Sequence, residues 1–247
     1  NFLFFSFILV LLSIFFAPTH ISGNEYGFIT RSMNFFNQNE NFIGYSESIR
    51  VAIIRIPFYF YYELFGFEVG WKITRILSLI LYSFAFYHFS LSFKFSNLTI
   101  LIGILIFILA GQGIFRTAFL FGTFESKVIS NIAVIFSLSY LQREKYLKSI
   151  ILISIAIYSH FLVGYFWFGI ICVYYYLKEK DLKIIFKYFT KVFLITLPVL
   201  LILVFENYFI NLNVDFAGSN MFFHDRVDGL TNPFTADWNL KKDWIFG

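Results

Sequence analysis

The sequence predicts an all-α fold, a polytopic transmembrane helix bundle of about six to eight spans, some of them short or broken. Two observations lead to this prediction. Hydrophobic residues make up 59% of the 247 residues and charged residues only 14%, whereas a soluble domain has about 45–50% and about 25%. The excess consists of Phe, Ile and Leu in long runs, which favours helices because barrel strands would alternate apolar and polar residues.

The apolar runs predict one transmembrane helical domain over residues 1–206. Its first span is residues 2–17, and a polar, aromatic, non-cytoplasmic loop over residues 18–70 follows. Within this loop, PFYFYYELFG over residues 57–66 has Pro at a helix start and Gly just past the end. A helix of this length covers about 15 Å of a hydrocarbon core that is about 30 Å thick. We therefore expect it to lie on the membrane surface.

The remaining segments alternate between spans and loops. Spans are predicted over residues 73–92, 98–114, 128–141 and 188–206, and loops over residues 111–127, 142–148 and 178–187. The polar stretch over residues 207–247 is read as the start of a non-cytoplasmic tail. Because the chain begins with Asn1 and stops at Gly247, we expect it to be a fragment of a longer protein.

The lysines and arginines of two short loops set the predicted topology. One loop carries Arg143, Lys145 and Lys148, and the other, over residues 178–187, carries four lysines. Basic loops face the cytoplasm, so the net charge of +4 indicates topology and not nucleic-acid binding. Two cytoplasmic loops require an even number of crossings between them. The run over residues 149–177 is therefore expected to be a hairpin with His160 in YSHFLVG at its turn; a single long tilted helix is the alternative.

This topology gathers the candidate site residues on the non-cytoplasmic face. Glu25 in NEYGFITRS is either a general base, a metal ligand or a solvated carboxylate. Glu125 suits the first turn of a helix, but with Arg116 and Lys127 it also suits a phosphate site. His160 is a proton carrier, a phosphate donor or a residue that hydrogen-bonds the carbonyls freed at a helix break. HDRVD adds His224 and Arg226, either as site residues or as structural ion pairs.

The order of these parts resembles the GT-C superfamily of polytopic glycosyltransferases. The matching pieces are NEYGFITRS after the first span, the surface helix PFYFYYELFG, and GTFESKVISNIAVIFSLSYLQREK followed by YSHFLVG. In related bacterial membrane proteins, an acidic helix start likewise precedes a His-x-x-x-Gly break. The likeness covers most of the chain in layout and about thirty residues in motif.

The resemblance implies transfer of a sugar from a polyprenyl-phosphate donor on the non-cytoplasmic face of a bacterial inner membrane. It implies Glu25 as the catalytic base, and Arg116, Lys127 and His160 as residues that face the lipid phosphate. Arg31, Glu125, His224 and Arg226 complete the expected substrate site. Many of these enzymes use Asp, often in a DxD-like pair, whereas this chain has Glu25 alone.

Other functions stay open at the level of the sequence. They are an O-antigen or polysaccharide polymerase or ligase, a transporter or flippase, and a non-catalytic membrane subunit. The expected partners are the lipid bilayer and a lipid-linked sugar. The cofactor is unknown: no ligand motif indicates a divalent metal, and Cys172 lies alone in an apolar run, which excludes a disulfide framework.

Overall fold

The structure is a computed structural model that describes residues 23–37, 52–109 and 124–205. Every regular element in these ranges is helical. The α-helices are α1 (Gly23–Met33), α2 (Ala52–Phe93), α3 (Asn97–Leu109), α4 (Ser126–Gln142), α5 (Tyr146–Ser159), α6 (Phe161–Glu179) and α7 (Leu182–Phe205), and Phe35–Asn37 form a short 3₁₀ turn.

Three of these helices are long and apolar enough to cross a membrane. They are Ile54–Phe93 within α2, Phe161–Glu179 in α6 and Leu182–Val204 in α7. Large apolar side chains on their outer faces are exposed, among them Leu162 at 72% and Phe186 at 71%. Such faces are compatible with a membrane protein, because lipid and not water would cover them. The count of about six to eight spans stays a prediction.

Helix α2 contains a break at Gly66. Its 42 residues would give a continuous helix about 60 Å long, twice the thickness of the hydrocarbon core. Gly66 adopts φ 70° and ψ 172°, a backbone conformation that only glycine adopts readily. The sequence thus predicted the break at Gly66 correctly, and the position of the preceding helix on the membrane surface stays a prediction. Its predicted start was wrong, because the helix begins at Ala52 and Pro57 lies inside it.

Helices α5 and α6 form the predicted hairpin. The rings of Tyr146 and Tyr175 lie 5.5 Å apart, and Lys178 Nζ lies 3.7 Å from Glu144 Oε1. The end of α6 therefore lies beside the start of α5, and both basic loops are at the same end of the bundle. The second loop is shorter than predicted, since α7 begins at Leu182.

The hairpin closes tightly at Gly164. A Cβ atom on this residue would lie 2.5 Å from the backbone nitrogen of Ile157, so no side chain fits without a shift of the backbone. By contrast, a Cβ atom on Gly169, one turn further along α6, would meet nothing within 4 Å. Gly164 thus brings the two helices together directly after the break at His160.

Serine and tyrosine side chains join the helices in the interior. Ser130 Oγ donates to Ala156 O at 2.9 Å, and Ser137 Oγ donates to Ser149 O at 3.0 Å. Ser149 Oγ and Tyr188 Oη share a hydrogen bond of 2.9 Å. An apolar outside with small, hydrogen-bonded residues inside is typical of helices that associate in lipid, where burial of apolar surface gives little driving force.

The helix directions define two ends of the bundle. Helix α4 runs parallel to the second part of α2, since Arg143 Nε donates to Ser92 Oγ at 2.7 Å. The basic end carries Lys94 and the two lysine-rich loops. The opposite end, which we call the acidic end, carries α1, residues 124–125, the start of α4 and the break at His160.

Candidate functional site

Glu25 lies at the centre of the acidic end and is completely buried. Its Oε1 accepts hydrogen bonds from Arg75 Nε at 2.9 Å and from the backbone nitrogen of Phe124 at 2.9 Å. Its Oε2 lies 2.5 Å from Arg75 Nη2. The Glu25 carboxylate therefore joins α1, α2 and the chain before α4. Its two-point contact with Arg75 also fixes how the carboxylate and the guanidinium are oriented relative to each other.

Arg75 is the residue of this site that sequence reasoning missed. It lies inside the predicted span over residues 73–92 and is 9% exposed. Its guanidinium also stacks on Trp71, 4.6 Å from the ring centroid. The signal was present in the sequence, since an arginine inside an apolar span is costly and requires a partner. The sequence did not say that the partner would be Glu25.

Glu125 is the second carboxylate of the acidic end, and it differs from Glu25 in its partners. It is 7% exposed and is the residue that precedes α4, with φ −149° and ψ 174°, but its side chain does not cap the helix. In the part of the chain that the structure describes, its carboxylate receives no hydrogen bond. Glu125 therefore lies directly before the helix and not in its first turn, and the interaction with the helix dipole that the sequence suggested stays open.

The charges around Glu125 change its acidity. Burial raises the pKa of the Glu125 carboxyl above its ordinary value, and the nearby charge of Glu25 raises it further. The half-buried Lys127 acts in the opposite direction. Desolvation is the largest cause, since a buried carboxylate loses the water that stabilises its charge.

A cavity of about 510 Å³ lies between α2, α3, α4 and α6. Its wall is almost entirely apolar and includes Phe86, Leu138 and Trp167. Tyr82 and Asn131 are among its few polar lining residues, and Tyr82 lies within electrostatic reach of Glu125. An apolar cavity next to a few polar groups is the usual form of a site for an amphipathic ligand.

Two other predicted site residues lie at the acidic end. His160 Nδ1 accepts a hydrogen bond from the backbone nitrogen of Val163 at 3.3 Å and so caps α6. The sequence also allowed a structural role for His160, a hydrogen bond to a carbonyl freed at the helix break. The observed cap is a structural role of this kind, but its partner is a backbone amide and not a carbonyl. Arg31 is exposed in the last turn of α1, whereas Glu25 in the first turn is buried.

The other predicted site residues lie outside the described ranges. They are Arg116, His224 and Arg226, and their roles stay predictions. Among the residues that the structure describes, no group of three or more His, Cys, Asp and Glu side chains has the proximity that a metal ion requires.

A second polar cluster lies at the basic end. His88 Nδ1 and Ser139 Oγ are 2.5 Å apart, Ser139 Oγ and Ser92 Oγ are 2.6 Å apart, and Arg143 Nε donates to Ser92 Oγ at 2.7 Å. Arg143 Nη2 also donates to His88 O at 3.2 Å. This network joins the end of α2 to the end of α4.

Comparison with protein-family models, with curated proteins and with solved structures found no match to this chain. Any functional inference must therefore come from the acidic end itself. This region combines a buried ion pair that fixes its geometry, the Glu125 side chain, which accepts no hydrogen bond from the described residues, and Lys127 in the next helical turn, and the apolar cavity begins beside it at Tyr82 and Asn131. Such a set can hold an amphipathic molecule and exchange a proton with it.

Proposed function

We propose that this chain is part of a multi-pass inner-membrane glycosyltransferase that moves a sugar from a polyprenyl-phosphate donor on the non-cytoplasmic face. The observation that carries the proposal is the buried Glu125 carboxylate beside the Glu25–Arg75 pair. Structural carboxylates inside an apolar bundle are normally paired, because an isolated buried charge is strongly unfavourable. Glu125 accepts no hydrogen bond from the residues that the structure describes, and this supports a role for it in chemistry.

The position of this site supports the proposed side of the membrane. Both basic loops lie at the end of the bundle away from Glu125, and basic loops favour the cytoplasm. The acidic end would then face the periplasm. This is the side on which a polyprenyl-linked donor is expected from the GT-C resemblance.

The apolar wall of the cavity supports a donor with a long hydrocarbon chain, because such a wall suits an isoprenoid chain. The cavity extends from Tyr82 and Asn131 towards Ser90 and Thr99 near the basic end. Lys127, in the first turn of α4, supplies a positive charge for a phosphate, assisted by the N-terminal end of the helix dipole. In this proposal Glu25 is a positioning residue, which holds Arg75 and the chain before α4.

Thermal unfolding of the full-length protein in lipid nanodiscs tests the proposal. We expect undecaprenyl phosphate to raise the midpoint of unfolding, since a ligand that binds only the folded state stabilises it. Phosphatidic acid is the control, because it carries its phosphate on diacylglycerol and has no isoprenoid chain. It is expected to raise the midpoint of unfolding less. Equal shifts with both lipids, or no shift with either, would contradict recognition of a polyprenyl phosphate.

A further inference from the structure

The two buried carboxylates of the acidic end have different surroundings, and the difference assigns them different roles. We infer that Glu125, and not Glu25, is the group that takes up and releases the proton at this site. The assignment rests on the proposed sugar transfer and names the residue that would act as its base. It departs from the sequence-based expectation that Glu25 has this role.

The contacts of Glu25 give it a positioning role. Both of its oxygens receive hydrogen bonds from the Arg75 guanidinium, and Oε1 receives another from Phe124 N. Hydrogen bonds to the charged form of a carboxylate stabilise that form.

The surroundings of Glu125 have the opposite effect. Its carboxylate is 7% exposed and accepts no hydrogen bond within the described part of the chain. Among the described residues, the charged and titratable groups near it are Glu25 from α1, Tyr82 from α2 and Lys127 from α4. Burial and the charge of Glu25 favour the protonated form, and the charge of Lys127 favours the ionised form.

Glu125 acts during the attack of the acceptor on the sugar. Glu125 takes the proton from the attacking hydroxyl of the acceptor while that oxygen forms a bond to the anomeric carbon of the sugar. The bond from the anomeric carbon to the phosphate oxygen breaks, and its electron pair leaves with the polyprenyl phosphate. Glu125 then returns the proton to solvent or to the phosphate. A base with a pKa close to the working pH suits this transfer.

Infrared difference spectroscopy of the full-length protein in nanodiscs, recorded as a function of pH, tests the assignment without a substrate. The wild-type spectra are compared with those of Glu125→Gln and of Glu63→Gln, an exposed control. We expect wild type to show the infrared signal of a protonated carboxyl at pH values above the ordinary glutamate pKa of about 4.3, and we expect Glu125→Gln to remove this signal. If the signal in wild type is already lost near that ordinary pKa, the assignment is overturned, whatever the function of the protein.

Surface glycan in cells that lack the gene, complemented with each variant, gives the second readout. We expect Glu125→Gln to lower the transfer rate about 10²–10⁴-fold and to remain stabilised by undecaprenyl phosphate. We expect Glu125→Asp to restore part of the glycan. Full glycan with Glu125→Gln overturns the assignment even if the donor binds. If deletion of the gene leaves the surface glycan unchanged, the proposed sugar transfer is contradicted. The infrared titration then decides separately whether Glu125 takes up a proton.

Discussion

Two polar clusters lie at opposite ends of α4, and they are built differently. At the basic end, His88, Ser92, Ser139 and Arg143 bond to one another and to backbone carbonyls. At the acidic end, Glu25 is equally well bonded, but Glu125 beside it accepts no hydrogen bond within the described residues. The first cluster is therefore sufficiently explained by helix association, whereas the second contains a group that packing does not explain.

The comparison also separates two kinds of contribution to stability. The serine network and the close approach at Gly164 join neighbouring helices through local contacts. The Glu25–Arg75 pair joins residues 50 positions apart in the sequence and fixes the geometry of the acidic end. Substitutions at these positions should therefore change the free energy of unfolding by different amounts.

The largest effect is expected from Arg75→Met, which leaves Glu25 buried without its counter-ion. We predict a loss of about 3–5 kcal/mol in the free energy of unfolding, because an uncompensated buried charge costs about this much. Denaturant titration in mixed micelles measures the loss. The matched control is the double variant Arg75→Met with Glu25→Gln, which should recover most of it; a double variant as unstable as the single one would show that the pairing is not the cause.

A smaller effect is expected where α5 and α6 approach each other. Gly164→Ala should destabilise the hairpin by about 1–3 kcal/mol, because the added methyl group has no room beside the backbone of Ile157. Gly169→Ala in the same helix is the control and should be neutral or slightly stabilising, since its position is open. Equal losses of stability for both variants would contradict the packing described for Gly164.

Ser139→Ala at the basic end should cost about 1 kcal/mol, the net value of a typical intramolecular hydrogen bond. Ser139 is fully buried and bonds to α2, whereas Ser154 is equally buried but bonds to Ile150 O of its own helix. Ser154→Ala is therefore the control and should cost less. The amount of surface glycan should be the same in both variants, because this cluster is not part of the proposed site.

Part of this arrangement could be predicted from the sequence. Loop charges alone predicted the α5–α6 hairpin with His160 at its break, because cation placement reflects topology directly. They also placed Glu25, Glu125 and His160 at one end. The Glu25–Arg75 contact could not be predicted, since it depends on the packing of helices that are far apart in the sequence. Arg75 itself was detectable as a charge within an apolar span.

The pH dependence of stability follows from the raised pKa of Glu125. A carboxyl whose pKa is higher in the folded state binds its proton more tightly there, so it destabilises the fold only when it is ionised. Wild type and Glu125→Gln should therefore be about equally stable below the ordinary glutamate range. As the pH rises through that range towards the raised pKa, wild type should lose stability relative to the variant.

The most direct test of the difference between the two carboxylates applies the same substitution to each. The free energy of unfolding of Glu25→Gln and Glu125→Gln is measured at neutral pH by denaturant titration of the full-length protein. We predict effects of opposite kind: Glu25→Gln lowers stability, because Arg75 loses its counter-ion, and Glu125→Gln leaves it unchanged or raises it. Equal losses in both variants would contradict the account, since they would show that Glu125 is as firmly partnered as Glu25.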